Sequence, residues 1–244
     1  MQNKYKLSKL LSQRGICSRR EAEVLIAAGL VSVNNDIVTN VAERFTEDVS
    51  IELMPEAKKK IDSLVTILLN KPAGYVSAQP EDNYLPAVRL LKPENQSPDD
   101  NSSIKLQKNH FQKLAVAGRL DIDSRGLLVF TQDGSIARQL IGENSSIDKE
   151  YVVGVQGPLS DDALQRLRHG IHLDGKPLKP AIIEKMGPQQ LRFILNEGRK
   201  RQIRRMCETV GLEVKSLIRI RVGQINLGRL AEGQWRFLGR DEEF

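Results

Sequence analysis

Arg119, Asp121 and Asp123 stand close together in the stretch GRLDIDSRGLLVF, just ahead of the apolar run Leu127, Leu128, Val129, Phe130. A carboxylate fixed at a strand end can act as nucleophile or general base, and a nearby arginine can orient it or bind an anion. Three other readings compete. An Asp after a strand is often only a turn residue. DIDS also fits the D-x-D-x-[TS] motif of aspartate-dependent phosphatases, whose chemistry demands magnesium and a parallel sheet. A glycosidase-type pair of Asp121 and Asp123 is weaker, because residues two apart on an extended segment point to opposite sides. His110, His169 and His172 are too scattered for a metal site or an imidazole triad. Chemistry has to run on carboxylate, arginine and tyrosine.

Two basic clusters accept an electrostatic cost. In NEGRKRQIRRMCETVG, Arg199, Lys200, Arg201, Arg204 and Arg205 crowd the start of a predicted helix. The positive end of the helix dipole disfavours cations there by about 0.3–1 kcal/mol each. Ile203, Met206, Cys207 and Val210 form the apolar stripe of that helix, and Arg201, Arg204, Arg205 and Glu208 the opposite face. Residues 196–221 hold eight basic side chains against three acidic ones. The second cluster is Lys4, Lys6, Lys9, Arg14, Arg19 and Arg20, with no acid in the first twenty residues. One-signed repulsion of this kind is tolerated where a polyanion neutralises it, so both clusters point to nucleic acid.

The elements that must position these groups follow from periodicity. Leu7, Leu10 and Leu11 share a helical face, and Ser18 with Glu21 predicts a capping box opening a second helix that ends at Gly29. LVSVNNDIVTNV reads as a hairpin around Asn34-Asn35-Asp36, closing a small module near residue 54. The polar, proline-bearing MPEAKKKIDS reads as a linker. From Leu64 the pattern is mostly strands, among them VTILLN, GYVSA, KLAVAG, LLVFTQ, EYVVGVQ, QLRFILNE and VKSLIRIRV. Two helices interrupt them, SDDALQRLRHG capped by Ser160 and the one after Gly198. This predicts an α+β chain with a mixed, mainly antiparallel sheet and few helices. The predicted domains are 1–58, with linker, and 64–244, with a mobile loop at about 93–110.

With 244 residues the chain can bury a substantial core, and its net charge of +6 is concentrated in the clusters above. Its two cysteines, Cys17 and Cys207, form neither a zinc pattern nor a disulfide framework, which fits a reducing cytoplasm. No stretch has the apolar length of a membrane span, and the N-terminus lacks a signal-peptide core.

Three motifs together resemble the RsuA/RluB/RluE/RluF group of pseudouridine synthases over nearly the whole chain. GRLDIDSRGLLVFTQDG is similar to the group's G-R-L-D-x-[DN]-[ST]-x-G-L-L segment, KEYVVGV to its K-x-Y segment, and EGRKRQIRRM to its E-G-x-x-x-Q-[IV]-[RK]-R-M segment. The N-terminal module is similar to an S4 RNA-binding domain. Asp123-Ser124, ICSRREAE and RQIRRMCE resemble the RluF branch more than the RsuA branch. The resemblance implies Asp121 as catalytic aspartate, Arg119 as the residue entering the space of a flipped uridine, and Tyr151 as the ring stacked on it. It implies Arg204 as the arginine paired with Asp121, and Lys149, Leu217 and Arg219 as pocket residues. Lys6, Lys9, Arg14, Arg19, Arg20, Arg199, Lys200, Arg201 and Arg205 are the expected RNA contacts. The implied activity is isomerisation of a uridine in 23S rRNA, with 16S rRNA or tRNA as alternative targets, by a cytoplasmic monomer without metal or cofactor. The rival of another class is a non-catalytic RNA-binding or ribosome-assembly protein.

Overall fold

The computed structural model describes residues 3–79, 83–143, 145–169 and 171–244, which fall into two compact units. The first comprises Met1–Thr66, Gln107–Ala115 and Thr131–Gln139. Its helices α1 (Leu7–Gln13) and α2 (Arg19–Ala27) precede a three-stranded antiparallel sheet. In this sheet β1 (Val31–Val33) lies between β2 (Asp36–Ile37) and β3 (Ile51–Leu53). The capping box is present: Ser18 Oγ accepts from Glu21 N at 3.3 Å, and Glu21 accepts from Ser18 N at 2.7 Å. Asn34 and Asn35 both take positive φ, 50° and 74°, as a two-residue hairpin turn requires. The expected linker is instead a helix, α3 (Pro55–Asp62). Pro55 begins it, where a missing N–H costs nothing, and Ala57 joins the core of Leu7, Leu11, Ile26 and Val31.

The second unit, Ile67–Leu106, Val116–Phe130 and Leu140–Phe244, is built on a nine-stranded sheet. Its main strands are β4 (Thr66–Lys71), β5 (Arg125–Thr131), β6 (Lys149–Gln156), β7 (Ile182–Gly187), β8 (Gln190–Leu195), β9 (Glu213–Val222) and β10 (Trp235–Phe237). They lie in the order β7-β8-β6-β9-β5-β4-β10. The β7/β8, β8/β6, β6/β9 and β4/β10 pairs are antiparallel, and β9/β5 is parallel. The sheet is therefore mixed and mainly antiparallel, not the parallel sheet that the phosphatase reading demands.

Apolar periodicity predicts two helices beyond residue 64, and the structure has a third, α4 (Gly134–Ile141), ahead of α5 (Asp161–Arg168) and α6 (Gln202–Glu208). Asp133 starts α4 by accepting from Ser135 N at 2.7 Å; in sequence the same Asp-Gly pair signals a turn. Ser160 caps α5 as expected, and Gly170, at the end of that predicted segment, lies outside the described residues. The α6 stripe is buried: Ile203, Met206 and Cys207 pack with Val153, Leu191 and Phe193 of the sheet. GYVSA contributes only a bridge from Val76 to Pro86, and KLAVAG only the short strand Ala115–Val116. The polar stretch expected as a mobile loop contains the 3-10 turns Pro93–Asn95 and Lys108–Phe111. Its first part is tied to β10: Ser97 N donates to Trp235 O at 2.8 Å, Phe237 N to Asp100 Oδ2 at 3.0 Å, and Trp235 Nε1 to Lys92 O at 2.8 Å.

Candidate active site

The turn carrying Asp121 leads into β5 and is held from several sides. On one side of Asp121, the buried Ser77 hydroxyl accepts from Leu120 N at 2.8 Å and donates to Leu120 O at 2.6 Å. On the other, Ile122 O accepts from Gly74 N at 2.8 Å and from Lys71 Nζ at 3.4 Å. Ser124 N closes the turn onto Asp121 O at 3.1 Å. Beneath lies Arg219, 2% exposed, donating to Leu127 O at 2.7 Å, Gly118 O at 2.9 Å and Arg119 O at 3.5 Å. A buried guanidinium is tolerated when such dipoles satisfy it. Its backbone pairs in parallel with Gly126, whose φ is 103°. A Cβ at that position would lie 2.7 Å from Arg219 N and closer still to Arg219 O, so the crossing of β5 and β9 admits only glycine.

Asp121 is thus fixed at the backbone while its side chain, 33% exposed, opens into a cavity of about 1300 Å³. Arg119, Lys149, Tyr151, Leu217 and Arg219 line the same cavity, as does Arg204. The expected site residues therefore converge. The pairing expected for Arg204 differs from the one observed. Its Nη2 lies 3.1 Å from Asp123 Oδ1, while its guanidinium also donates to Val214 O, Asp123 O and Ser124 Oγ at 3.2, 3.3 and 3.4 Å. Those anchors steer it to Asp123, and Arg201 is the arginine that reaches Asp121, at 3.8 Å. Arg201 also contacts Asp123, at 3.4 Å.

Two lysines carry unusual charge environments. Burial, with Arg219 acting in the same direction, pushes the Lys149 ammonium down to about 8 against the pull of Asp148; its Nζ donates to Ile147 O at 3.0 Å. Burial also pushes Lys71 down to about 8, opposed by Asp123, Asp121 and Glu232. Lys71 Nζ donates to Pro72 O and Tyr75 O, both at 2.8 Å. Ser77 and Lys71 are structural parts of the site that motif reading passes over. The available signal was a lysine closing an apolar strand, buried at all six positions of β4.

The basic residues divide. Arg199 donates to Leu173 O, Lys176 O and Pro177 O, and Arg205 forms a two-pronged pair with Asp174 at 2.7 and 3.0 Å. Arg14 donates to Glu47 O and Val49 O at 2.7 Å each, and Lys9 sits 3.8 Å over the Tyr5 ring. These four are occupied by the protein rather than held out as open phosphate contacts. Lys6, Arg19, Arg20 and Lys200 carry no ion pair or side-chain hydrogen bond among the described residues. Arg199, Lys200 and Arg201 precede α6, with Arg201 as its N-cap, so they lie outside the helix proper.

Residues 65–209 match the family model described as RNA pseudouridylate synthase, and residues 6–51 match the S4 domain. An RNA pseudouridine synthase of Mycobacterium leprae (strain TN) is 35% identical over 242 residues, covering 97% of this chain and 90% of that one. The dual-specificity RNA pseudouridine synthase RluF of Escherichia coli O157:H7 is 33% identical over 241 residues, covering 97% and 76%. A crystal structure of a pseudouridylate synthase superposes with a TM-score of 0.64 at 26% identity, covering 96% of each chain.

Proposed function

Because the chain belongs to the RNA pseudouridylate synthase family, we propose that Asp121 is the carboxylate with which it turns a uridine of RNA into pseudouridine. The N1–C1′ bond breaks, the freed uracil turns, and a C5–C1′ bond forms as the C5 proton leaves and N1 gains one. Substrate and product are isomers, so the reaction consumes no oxidant or reductant. Asp121 either attacks C1′ directly or removes the C2′ proton to give a glycal. One observation carries the assignment. Leu120 and Ile122 are clamped on either side of Asp121, yet among the described residues its carboxylate makes no hydrogen bond and no ion pair shorter than 3.8 Å, and it lines the cavity.

Tyr151, on β6 opposite Arg219 of β9, supplies the ring on which the flipped base stacks. Leu217 closes the apolar side, and Arg119, whose guanidinium has no partner among the described residues, fills the vacated helix space. Lys149 and Arg219 hold the pocket positive. Taking a base from its stack costs a few kcal/mol, which stacking on an aromatic ring and the inserted arginine offset. Lys6, Arg19, Arg20 and Lys200 grip flanking phosphates. The target is a uridine of 23S rRNA, read by a monomer in the cytoplasm, with residues 1–58 as the RNA-gripping domain and 64–244 as the catalytic one. No helix among the described residues is long and apolar enough to cross a membrane.

The test maps pseudouridine across all cellular RNA with and without the gene, and again after restoring it as wild type or as Asp121→Asn. Loss of one 23S rRNA site, restored only by the wild type, is the expected result. A site in 16S rRNA or tRNA would move the target, and restoration by Asp121→Asn would remove Asp121 from the chemistry. The amide keeps the carboxylate's shape and removes a negative charge, so RNA affinity in that variant stays equal or rises.

A further inference from the structure

Two aromatic residues among those described, Tyr84 and Tyr151, line the cavity that holds Asp121. Tyr151 is half-buried in the sheet, whereas Tyr84 stands ahead of the 3-10 turn Ala87–Leu90 and is 44% exposed. Nine large apolar side chains are exposed among the described residues, and of these Tyr84 and Ile141 are the two that line the cavity. The Tyr84 hydroxyl has no hydrogen-bond partner among the described residues, so it does not tie the ring to the fold. The backbone beside it is nevertheless fixed. Val76 N donates to Leu85 O at 3.1 Å, and Ala87 N donates to Val76 O at 2.8 Å. Val76 is buried and precedes Ser77, whose hydroxyl holds both polar groups of Leu120, the neighbour of Asp121. Hydrogen bonds therefore link the segment carrying Tyr84 to the turn carrying Asp121. A tyrosine on such a support offers a large contact area at low cost in conformational freedom. Pockets for a drug-sized molecule run to about 300–1,000 Å³. At about 1300 Å³ this cavity has room beyond the one base that Tyr151 stacks.

We propose that Tyr84 is a second stacking platform, which takes the base of a nucleotide flanking the target uridine and so helps decide which RNA segment is accepted. The proposal deepens the reading in which Tyr151 takes the target base and Asp121 does the chemistry, and it rests on that reading. Every base presents a π face, so the ring accepts a neighbour without reading its edge. What it selects is a base free to leave its own stack. A base inside a continuous duplex is already stacked on both sides, so Tyr84 favours a target whose neighbour is unpaired. The cations of the cavity wall, among them Arg119, Lys149 and Arg201, attract the backbone of either nucleotide. Charge alone does not distinguish a base from a bare sugar; a ring does.

The experiment measures affinity for short synthetic RNAs spanning the uridine that the pseudouridine map locates. One RNA is intact, and each of the others carries an abasic nucleotide at the target or at one flanking position. The full-length protein carries Asp121→Asn, so that the RNA stays unconverted while binding is read. Adding Tyr84→Ala should weaken binding of the intact RNA by about 5- to 150-fold, the effect of losing one base–aromatic stack. Tyr84→Phe, which keeps the ring, should bind as its parent does. The alanine effect should vanish on one RNA that is abasic at a flanking position, because the base it would have stacked is already gone. No alanine effect, or an effect of equal size on the intact RNA and on every abasic one, overturns the inference; a merely structural role gives the latter together with a lower melting temperature. An effect that vanishes only when the target position is abasic puts Tyr84 in the pocket of Tyr151 and overturns it as well. Conversion by Asp121→Asn in a single-turnover assay overturns the reading of the cavity and the inference with it, whereas an inactive Asp121→Asn beside any of the overturning binding results removes the inference alone.

Discussion

Replacing Ser77 by alanine tests whether the backbone clamp, rather than the motif alone, makes Asp121 usable. The Ser77 hydroxyl is the partner of both polar groups of Leu120, at 2.8 Å from N and 2.6 Å from O, and both residues are buried, Ser77 at 5% and Leu120 at 7% exposure. Ser77→Ala removes both bonds and orphans both groups. A buried unsatisfied group costs about 1–3 kcal/mol, so the expected loss is about 2–4 kcal/mol, below the upper sum because Leu120 lines the cavity where water can reach it. Asp121 is the next residue. A displacement of about 1 Å at a reacting group costs about a hundredfold in rate, so the single-turnover rate should fall by one to two orders of magnitude, roughly, while RNA affinity holds. Urea unfolding with an unchanged slope reads the stability loss, and rRNA conversion reads the rate. A variant within about 0.5 kcal/mol of wild type that converts rRNA at the wild-type rate would refute the reasoning, since neither orphaned group would then matter.

Tyr151→Phe should bind RNA as the wild type does, because stacking needs only the ring, but lose rate if the hydroxyl handles the C5 proton. Tyr151→Leu should lose both, and near-wild-type rates in both variants would take the ring out of the pocket. For Lys149, the folded ammonium sits at about 8 and the unfolded one at about 10.4, so the folded state binds fewer protons between those values. Its burial penalty is fully present below pH 8 and relieved as pH rises toward 10.4, so the wild type should gain stability relative to Lys149→Met between pH 7.5 and 9.5 in urea titrations. A constant difference would show the lysine to be solvated. Replacing Lys6, Arg19 and Arg20 together by glutamine should flatten the salt dependence of RNA binding. Each phosphate contact contributes about 0.9 to the slope on duplex and about 0.7 on single strands. An unchanged slope across a salt series would leave these cations without a role in RNA binding.

How much of this was legible in the sequence depends on how far apart the interacting groups lie along the chain. The α6 stripe, the Ser18–Glu21 capping box and the Asn34-Asn35 turn are local patterns, and each appears where its period or spacing puts it. The Ser77 clamp joins residues 43 apart, and nothing near either residue announces the other. Helix α3 was hidden because its three consecutive lysines mask the Ala57 and Ile61 spacing that faces the core. Charge is the least legible quantity. Arg199 and Arg205 look like free phosphate contacts until the loop carrying Leu173, Asp174 and Lys176 supplies carbonyls and a carboxylate to them. The same limit applies to the two aspartates. Asp121 and Asp123 are chemically identical and two residues apart, so sequence alone can rank them only by resemblance. What separates them physically is who holds each carboxylate: two arginines and a hydroxyl crowd Asp123, while among the described residues the one ion pair of Asp121 is with Arg201, at 3.8 Å. Both carboxylates line the cavity, so the difference lies in their partners: a charge already paired at short range has less left to give a substrate than one paired only at longer range among the described residues.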